Sequence, residues 1–169
     1  MEFKLSFVLS RKIQSSVREY LSGCDFENPI AITLTMKQGI RIESNSQGSF
    51  ISINRDRASQ NLRHFLNLLN VHYHGKKSSR YGYRMPTIAV LEGTKSTRLH
   101  YHLLIDWPRL ESEQQIAGRV LNLWGKTQWG FNETHVELNA DRGWLNYMTK
   151  LRGKSDFASS IDWENCTLG

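Results

Sequence analysis

The stretch MPTIAVLEGTKSTRLHYHLLID, residues 85–106, decides the fold because it contains two successive β-strands joined by a polar segment. The first strand begins after Pro86 and ends at Glu92, and the second covers residues 98–106. Both are rich in β-branched, aromatic and other apolar residues, which favour strands. Six residues, 93–98, separate Glu92 from Leu99, which suits a hairpin between neighbouring strands of one sheet.

Outward from this pair, hydrophobic spacing predicts a strand and a helix before it, then a helix, a strand and a last helix after it. These segments are residues 30–36, 57–75, 111–125, 133–139 and 141–153. Without additions, the order is β-α-β-β-α-β followed by a helix. It predicts an α+β fold, a ferredoxin-like or RRM-like antiparallel sheet (βαββαβ core) with helices on one face and a C-terminal helix.

Two additions surround the first strand, and we expect residues 1–169 to form one domain. Residues 1–28 read as an N-terminal helical extension, with Ser10 as its N-cap and Gly23 as its terminator. Residues 37–54 read as a peripheral hairpin insertion. The face of the first helix that we expect to pack carries Ile13, Val17, Tyr20 and Leu21.

The helix at 111–125 and the last helix both have recognisable N-terminal caps. Ser112 and Gln115 have the spacing of a capping box, and Asp141 can cap the last helix. The inward face predicted for residues 111–125 carries Ile116, Val120, Leu121 and Trp124. Residues 76–85 are expected to form a loop, and residues beyond Gly153 receive no assignment.

Charge and cysteine usage narrow the classes of function. The formal net charge is +6 and the isoelectric point is near 9.5, which favours an anionic partner, most commonly nucleic acid. Cys24 and Cys166 lie far apart and no C-x-x-C spacing occurs, which argues against a disulfide scaffold or a zinc ribbon. The N-terminal sequence is typical of neither a signal peptide nor a membrane span, so we expect a cytoplasmic protein without a membrane partner.

The tripeptide His-Tyr-His occurs at residues 72–74 and again at residues 100–102. In a strand, His100 and His102 point to the same face, which allows them to chelate a metal. At the end of a helix, His72 and His74 lie on nearly opposite sides, so that copy predicts only a helix terminus whose histidines complement the helix dipole. The two copies therefore have different predicted roles.

Glu92 extends the second copy into a candidate metal site. If the two strands pair with Glu92 opposite His100, the carboxylate shares the face of both histidines. Two imidazoles and a carboxylate with open coordination positions describe a catalytic metal site. The alternatives are a hydrogen-bonded histidine pair on a sheet and a solvated turn carboxylate at Glu92.

The last helix carries a candidate nucleophile. Tyr147 and Lys150 are three residues apart, so on a helix they share a face. Only about 0.1% of a free tyrosine is ionised at neutral pH, and a nearby ammonium favours the phenolate. The alternatives are a half-buried aromatic and an ordinary solvated lysine.

Three motifs in order resemble those of the HUH endonucleases, in particular the single-tyrosine rolling-circle replication initiator (Rep) type. Thr33-Leu34-Thr35 resembles the first motif, a structural one; His100-Tyr101-His102 resembles the metal-binding motif; residues 147–150 resemble the Y-x-x-K motif that carries the nucleophile. Glu92 falls where Rep proteins often place a third metal ligand.

The resemblance implies an enzyme that binds Mn²⁺ or Mg²⁺ through Glu92, His100 and His102. It would nick single-stranded or hairpin origin DNA through a covalent 5′-phosphotyrosine on Tyr147, aided by Lys150, and then rejoin strands to initiate rolling-circle replication. A host helicase and polymerase would be its partners, and a bacterial plasmid or phage its source. The alternatives are a single-tyrosine transposase, an RRM-like single-strand binder without catalysis, and a metallohydrolase that activates water.

A basic segment between the helix at 57–75 and the strand at 98–106 is the candidate DNA-binding surface. Basic side chains follow phosphates and tyrosines stack on bases, a combination typical of single-strand binding. The candidate residues are Lys76, Lys77, Arg80, Tyr81, Tyr83, Arg84, Lys95 and Arg98. The alternative is a solvated loop.

Overall fold

The computed structural model describes residues 2–42, 48–93, 97–150 and 157–168. The helices are α1 (Glu2–Ser22), α2 (Arg55–His74), α3 (Lys76–Tyr81), α4 (Glu113–Gly125), α5 (Arg142–Met148) and α6 (Phe157–Ser160), with a 3₁₀ turn at Trp163–Asn165. The strands are β1 (Pro29–Met36), β2 (Gly39–Ile42), β3 (Ser49–Ser52), β4 (Thr87–Glu92), β5 (His100–Asp106) and β6 (Gly130–Glu137). Among these residues, no helix combines the length and the apolar character needed to cross a membrane.

The main sheet has the strand order β4-β5-β1-β6, and each neighbouring pair is antiparallel. The buried strand β1 lies inside it, where Ile32 pairs with Leu103 on one side and Val136 on the other. This is the order that a βαββαβ chain gives, and the predicted α+β fold class is confirmed. Strands β2 and β3 form a separate two-stranded sheet.

One face of the main sheet is covered by α2 and α4. Phe65 and Trp124 from these helices meet edge to face with ring centroids 5.6 Å apart, over the β1 side chains Ile32 and Leu34. The Trp124 indole donates to the carbonyl of Thr35 at 2.8 Å, which satisfies its buried N–H. Burying an apolar side chain of this size contributes about 2–3 kcal/mol, so these contacts fix both helices on the sheet.

The opposite face is covered by α1 and α5. Leu21 of α1 and Leu145 and Met148 of α5 pack in one cluster with Val90 and Leu104 of the sheet. Since side chains alternate along a strand, the residues two and four positions before Leu104 face the same way. Those residues are His102 and His100, so the candidate metal ligands lie on the sheet face that carries α5.

The outer edge of β4 is covered by the C-terminal segment, for which the sequence gives no assignment. Thr167 and Ile161 form antiparallel bridges with Thr87 and Val90, respectively. The hydroxyl of Tyr101 donates to Asp162 at 2.7 Å, which ties the same segment to the core. The segment therefore acts as an irregular fifth partner of the sheet.

The N-terminal helix differs from its prediction at its start and in its packed face. It begins at Glu2, so Ser10 lies inside the helix and is not its N-cap. Tyr20 is exposed although we expected it to pack, and the side chains that contact the rest of the protein include Gln14 and Arg18. Counting apolar residues misjudged this face because polar contacts hold half of it.

Two other local predictions are corrected. Residues 76–85 contain the short helix α3, which ends at Gly82 in the left-handed conformation (φ 70°) instead of forming a loop throughout. In α4 the predicted capping box of Ser112 and Gln115 is present, but Leu121 is 42% exposed and Leu123 is buried in its place. Leu123 lies seven residues after Ile116, which returns it to the same helix face after two turns.

Candidate active site

Glu92, His100 and His102 converge on the sheet face that carries α5. Glu92 pairs directly with His100 across the β4–β5 hairpin, the register expected from the sequence. The ligand atoms of the three residues lie within 4.8 Å of one another. Oε2 of Glu92 is 3.2 Å from Nε2 of His102 and 4.0 Å from Nε2 of His100. The hairpin alone thus assembles a two-imidazole, one-carboxylate group.

Hydrogen bonds to the other ring nitrogens orient both imidazoles. Nδ1 of His100 donates to the carbonyl of Arg98 at 2.8 Å, which leaves a lone pair on Nε2. Nδ1 of His102 lies 3.1 Å from the hydroxyl of Thr33 on β1. A partner on the distal nitrogen is the usual support of a metal-bound histidine. Thr33 belongs to the first sequence motif, and this contact gives that motif a role that the sequence did not reveal.

The donor set fits a divalent cation. The Glu92 side chain is only 11% exposed, and its buried Oε2 accepts no hydrogen bond from the described residues. A buried carboxylate oxygen without a donor is costly, and a cation at this position would satisfy it. Imidazole and carboxylate together suit several divalent metals, so the group could bind a metal ion whose identity is not fixed by the ligands.

The helix α5 brings Tyr147 to the same place. Asp141 accepts from the backbone N–H of Gly143 at 2.7 Å, so the predicted cap is present. The Tyr147 ring lies 5.4 Å from the His102 ring and 5.4 Å from the Trp144 ring, edge to face in both pairs. Tyr147 is 47% exposed, so its hydroxyl group belongs to a side chain that solvent and a substrate can reach.

Lys150 joins the group from outside the helix. We expected α5 to continue to Gly153, but it ends at Met148, and residues 151–156 lie outside the described residues. A turn bond of 3.2 Å from the Lys150 N–H to the Tyr147 carbonyl still keeps the two residues together. The ammonium lies 3.5 Å from Oε1 of Glu92 and 3.9 Å from the centre of the Tyr147 ring. It therefore bridges the carboxylate and the phenol.

A cavity of about 410 Å³ adjoins Tyr147 on the side of β6. Its lining residues are Glu137, Asn139, Asp141, Gly143, Trp144 and Tyr147. The opening gives access to the phenol from the side opposite the strand β4. The sequence offered no signal for this cavity, because it arises from the turn between β6 and α5.

The candidate DNA-binding residues do not form one surface. Lys76, Lys77, Arg80 and Tyr81 belong to α3, which precedes the first residue of β4, whereas Glu92 ends that strand. Six strand residues span about 20 Å, so α3 and the candidate metal ligands lie at opposite ends of β4. Tyr81 and Tyr83 are both exposed. The predicted DNA contacts of this group remain predictions.

The remaining basic candidates have separate surroundings. Arg84 donates to the carbonyl and hydroxyl oxygens of Ser78 at 2.9 Å each, so it holds the α3 segment together. Arg98 lies two residues before His100, with its guanidinium 4.5 Å from the centre of the Phe131 ring. Lys95 lies outside the described residues. Arg98 is thus the described basic candidate nearest in sequence to the metal ligands.

The first His-Tyr-His copy ends α2, as predicted, and takes no part in this site. The Tyr73 hydroxyl donates to Glu111 at 2.6 Å; burial, reinforced by this hydrogen bond, raises the pKa of Tyr73 to about 12. Burial also lowers the pKa of His72 and His74, with nearby cations adding to the effect. Both therefore favour the neutral form, which weakens the predicted role of complementing the helix dipole. Within the described ranges, three potential metal ligands converge only at Glu92, His100 and His102.

Comparison with known proteins bears on the segment that carries these residues. The family described as replication-associated protein ORF2 matches residues 29–156, from the start of β1 to beyond α5. The match excludes α1 and includes the candidate metal ligands, Tyr147 and Lys150. No curated protein and no solved structure gives a significant match to the chain. With more than half of its length matched, the chain belongs to this family of replication-associated proteins.

Proposed function

We propose that this protein is an HUH-type nickase and strand transferase that cuts single-stranded DNA at a replication origin to initiate rolling-circle replication. The observation that carries the proposal is the position of the Tyr147 ring, which contacts both a candidate metal ligand, His102, and the Lys150 ammonium. Membership in a replication-associated family supports the same substrate class. Within this proposal, residues 1–169 act as one nicking and joining domain.

Glu92, His100 and His102 would hold the metal ion, Mn²⁺ or Mg²⁺. When bound, such an ion supplies Lewis-acid polarisation of the scissile phosphate. The chain itself contributes the orientation of the ligands. Thr33 and the Arg98 carbonyl hold the two imidazoles so that each presents Nε2 toward Glu92.

Tyr147 is the proposed nucleophile. Its phenolic oxygen forms a bond to phosphorus, the bond from phosphorus to the 3′ oxygen breaks, and the phenol proton passes to the departing oxygen. The products are a 5′-phosphotyrosyl link and a free 3′ hydroxyl, so a later attack by a hydroxyl can rejoin strands. The Lys150 ammonium, which lies over the phenol ring, would offset negative charge that develops during this exchange.

The DNA strand would approach this site past Arg98. A guanidinium close to the ligands can bind a phosphate flanking the cut. Lys76, Lys77 and Arg80, with the exposed rings of Tyr81 and Tyr83, would bind more distant nucleotides of single-stranded or hairpin origin DNA. Strand separation and synthesis would then depend on a host helicase and polymerase.

The test uses a randomised single-stranded DNA library that carries a fluorophore at its 3′ end, incubated with the protein and Mn²⁺. A 5′-phosphotyrosyl link transfers the labelled 3′ fragment to the protein, which appears as a fluorescent band on a denaturing gel. We expect the band for the wild type and for Tyr20→Phe, an exposed tyrosine on α1, and none for Tyr147→Phe.

Each contrary outcome points to a different function. An adduct formed by Tyr147→Phe would exclude Tyr147 as the nucleophile. Cleavage of the library without any adduct would identify a metallohydrolase that activates water. Binding of the library with neither cleavage nor adduct would identify a single-strand binder of the RRM-like class.

A further inference from the structure

The helix α1 lies outside the segment that matches the family, yet it contacts the helix that carries the proposed nucleophile. Its packed face repeats at helical spacing through Gln14, Val17, Arg18 and Leu21. Val17 and Leu21 pack in the apolar cluster that contains Leu145 of α5. The two polar members of the stripe, Gln14 and Arg18, reach the end of α5 instead.

These two side chains hydrogen-bond to the C-terminal end of α5. Arg18 donates through Nε to the hydroxyl of Thr149 at 2.8 Å, and through Nη2 to the carbonyls of Asn146 at 2.9 Å and Thr149 at 3.3 Å. Nε2 of Gln14 donates to the same Thr149 carbonyl at 2.6 Å. The last carbonyls of a helix have no partner within the helix, and a cation there also complements the dipole.

The anchored residue lies between the two proposed catalytic side chains. Thr149 is fully buried, follows Tyr147 by two positions and immediately precedes Lys150. The helix α5 has only seven residues, which is too short to hold a fixed orientation without tertiary contacts. The direction in which the chain leaves Thr149 also sets where the Lys150 ammonium can lie between Glu92 and Tyr147.

We propose that Arg18, assisted by Gln14, is a positioning residue that holds Tyr147 and Lys150 in the geometry needed for transfer of DNA to the phenol. The inference rests on the proposed function. Arg18 acts through Thr149 and Asn146 and touches neither the candidate metal ligands nor the phenol. Misplacement of reacting groups by about 1 Å costs roughly a hundredfold in rate, so loss of this brace should act on the chemical step.

The test measures single-turnover adduct formation on a 3′-labelled oligonucleotide whose sequence is recovered from adducts of the randomised library. Arg18→Met keeps the apolar stem and removes the guanidinium. We expect its rate constant at saturating DNA to fall about 10- to 100-fold, with unchanged half-saturation for DNA and unchanged Mn²⁺ affinity. Gln14→Met should give a smaller decrease. Added guanidinium ion should restore part of the rate to Arg18→Met and none to Tyr147→Phe.

Lys12→Met is the matched control, because Lys12 is an exposed cation on the same helix. An equal loss of rate in Lys12→Met, or a wild-type rate in Arg18→Met, would overturn the proposal. Arg18→Lys covers the case in which Arg18→Met does not fold: it retains a cation, and its rate should lie between those of the wild type and Gln14→Met, with full wild-type activity counting against the brace.

Amide hydrogen exchange separates this proposal from the proposed function. The N–H groups of Thr149 and Lys150 bond to the carbonyls of Leu145 and Tyr147. Loss of the brace should speed exchange at these two amides in Arg18→Met and not in Lys12→Met, whether or not the protein forms an adduct. Faster exchange without any wild-type adduct would refute the nickase alone, and unchanged exchange would refute the brace alone.

Discussion

The two His-Tyr-His copies have identical letters and different surroundings. Residues 72–74 end α2, and residues 100–102 begin β5. Positions two apart are rotated by about 200° on a helix and aligned on a strand. The rings of His100 and His102 are therefore only 4.9 Å apart and share Glu92, whereas His72 and His74 flank a helix end.

The central tyrosine has the same role in both copies. Tyr73 and Tyr101 are buried, and their hydroxyls donate to Glu111 at 2.6 Å and Asp162 at 2.7 Å. In each case the tyrosine secures a connection to a later segment of the chain. The comparison shows that the backbone period, and not the tripeptide, decides whether the two histidines can act together.

The largest effect should separate the histidines of the two copies. Replacing His100 and His102 with alanine removes two of three proposed metal ligands. Metal assistance is worth several kcal/mol, so the adduct rate should fall about a thousandfold or more while DNA binding persists. The 3′-label adduct assay measures the rate, and fluorescence anisotropy measures DNA binding.

The matching double variant is His72→Ala with His74→Ala, which should leave adduct formation close to the wild-type rate. Abolished chemistry in this variant would reverse the assignment of roles to the two copies. Equal, modest losses in both double variants would mean that neither copy supports catalysis through a metal.

A smaller effect should follow from Thr33→Val, which removes the hydroxyl partner of the His102 ring. Loss of such a partner typically costs about 10- to 100-fold in metal affinity or activity. Isothermal titration with Mn²⁺ measures the affinity directly. Thr134→Val is the control, because Thr134 pairs with Leu34 and faces the other side of the sheet. Equal affinities for the two variants would show that Thr33 does not support a metal ligand.

The two central tyrosines should affect stability by comparable amounts. Tyr73→Phe and Tyr101→Phe each remove a hydrogen bond to a carboxylate, which is worth about 1.5–3 kcal/mol in free energy of unfolding. Urea denaturation at neutral pH measures the difference. Adduct formation by folded Tyr73→Phe should be unaffected, and a variant as stable as the wild type would deny the tyrosine its anchoring role.

The smallest effect concerns the acid sensitivity of the first copy's surroundings. Burial opposes ionisation of Glu111, but hydrogen bonds from Tyr73, Trp107 and Arg119 outweigh it and lower its pKa to about 2. A lowered pKa stabilises the fold above the carboxyl's ordinary pKa near 4.5, and this stability is lost as the pH falls toward about 2. Glu111→Gln should lose about 1–2 kcal/mol less than the wild type over this range, measured by urea denaturation.

The sheet and the metal-ligand register follow from the sequence because strand periodicity and the length of the β4–β5 connection are local properties. The end of α5 does not. Its apolar spacing continues to Leu151, yet the helix ends at Met148, where the Thr149 hydroxyl bonds to the Leu145 carbonyl and Arg18 binds the last carbonyls. Such an end depends on a partner more than a hundred residues away, which no local pattern contains.

The DNA-binding prediction shows a related limit. Basic residues close in sequence were treated as one patch, but β4 separates α3 from Arg98 by the length of a strand. Proximity along a chain carries over to space within a helix or a turn, and it fails across a strand of about 20 Å. The roles of these residues stay predictions.

The C-terminal segment that bridges to Thr87 and Val90 also protects the protein from its own copies. An uncovered outer strand is a template for pairing with another molecule, and β4 contains the apolar run that would aggregate most readily. The opposite outer strand, β6, carries Glu133, His135 and Glu137 on one face, and charges of this kind discourage such pairing. Stray strand exchange is therefore blocked by backbone at one border of the sheet and by charge at the other, so Glu92 stays in register with its histidines in a crowded solution.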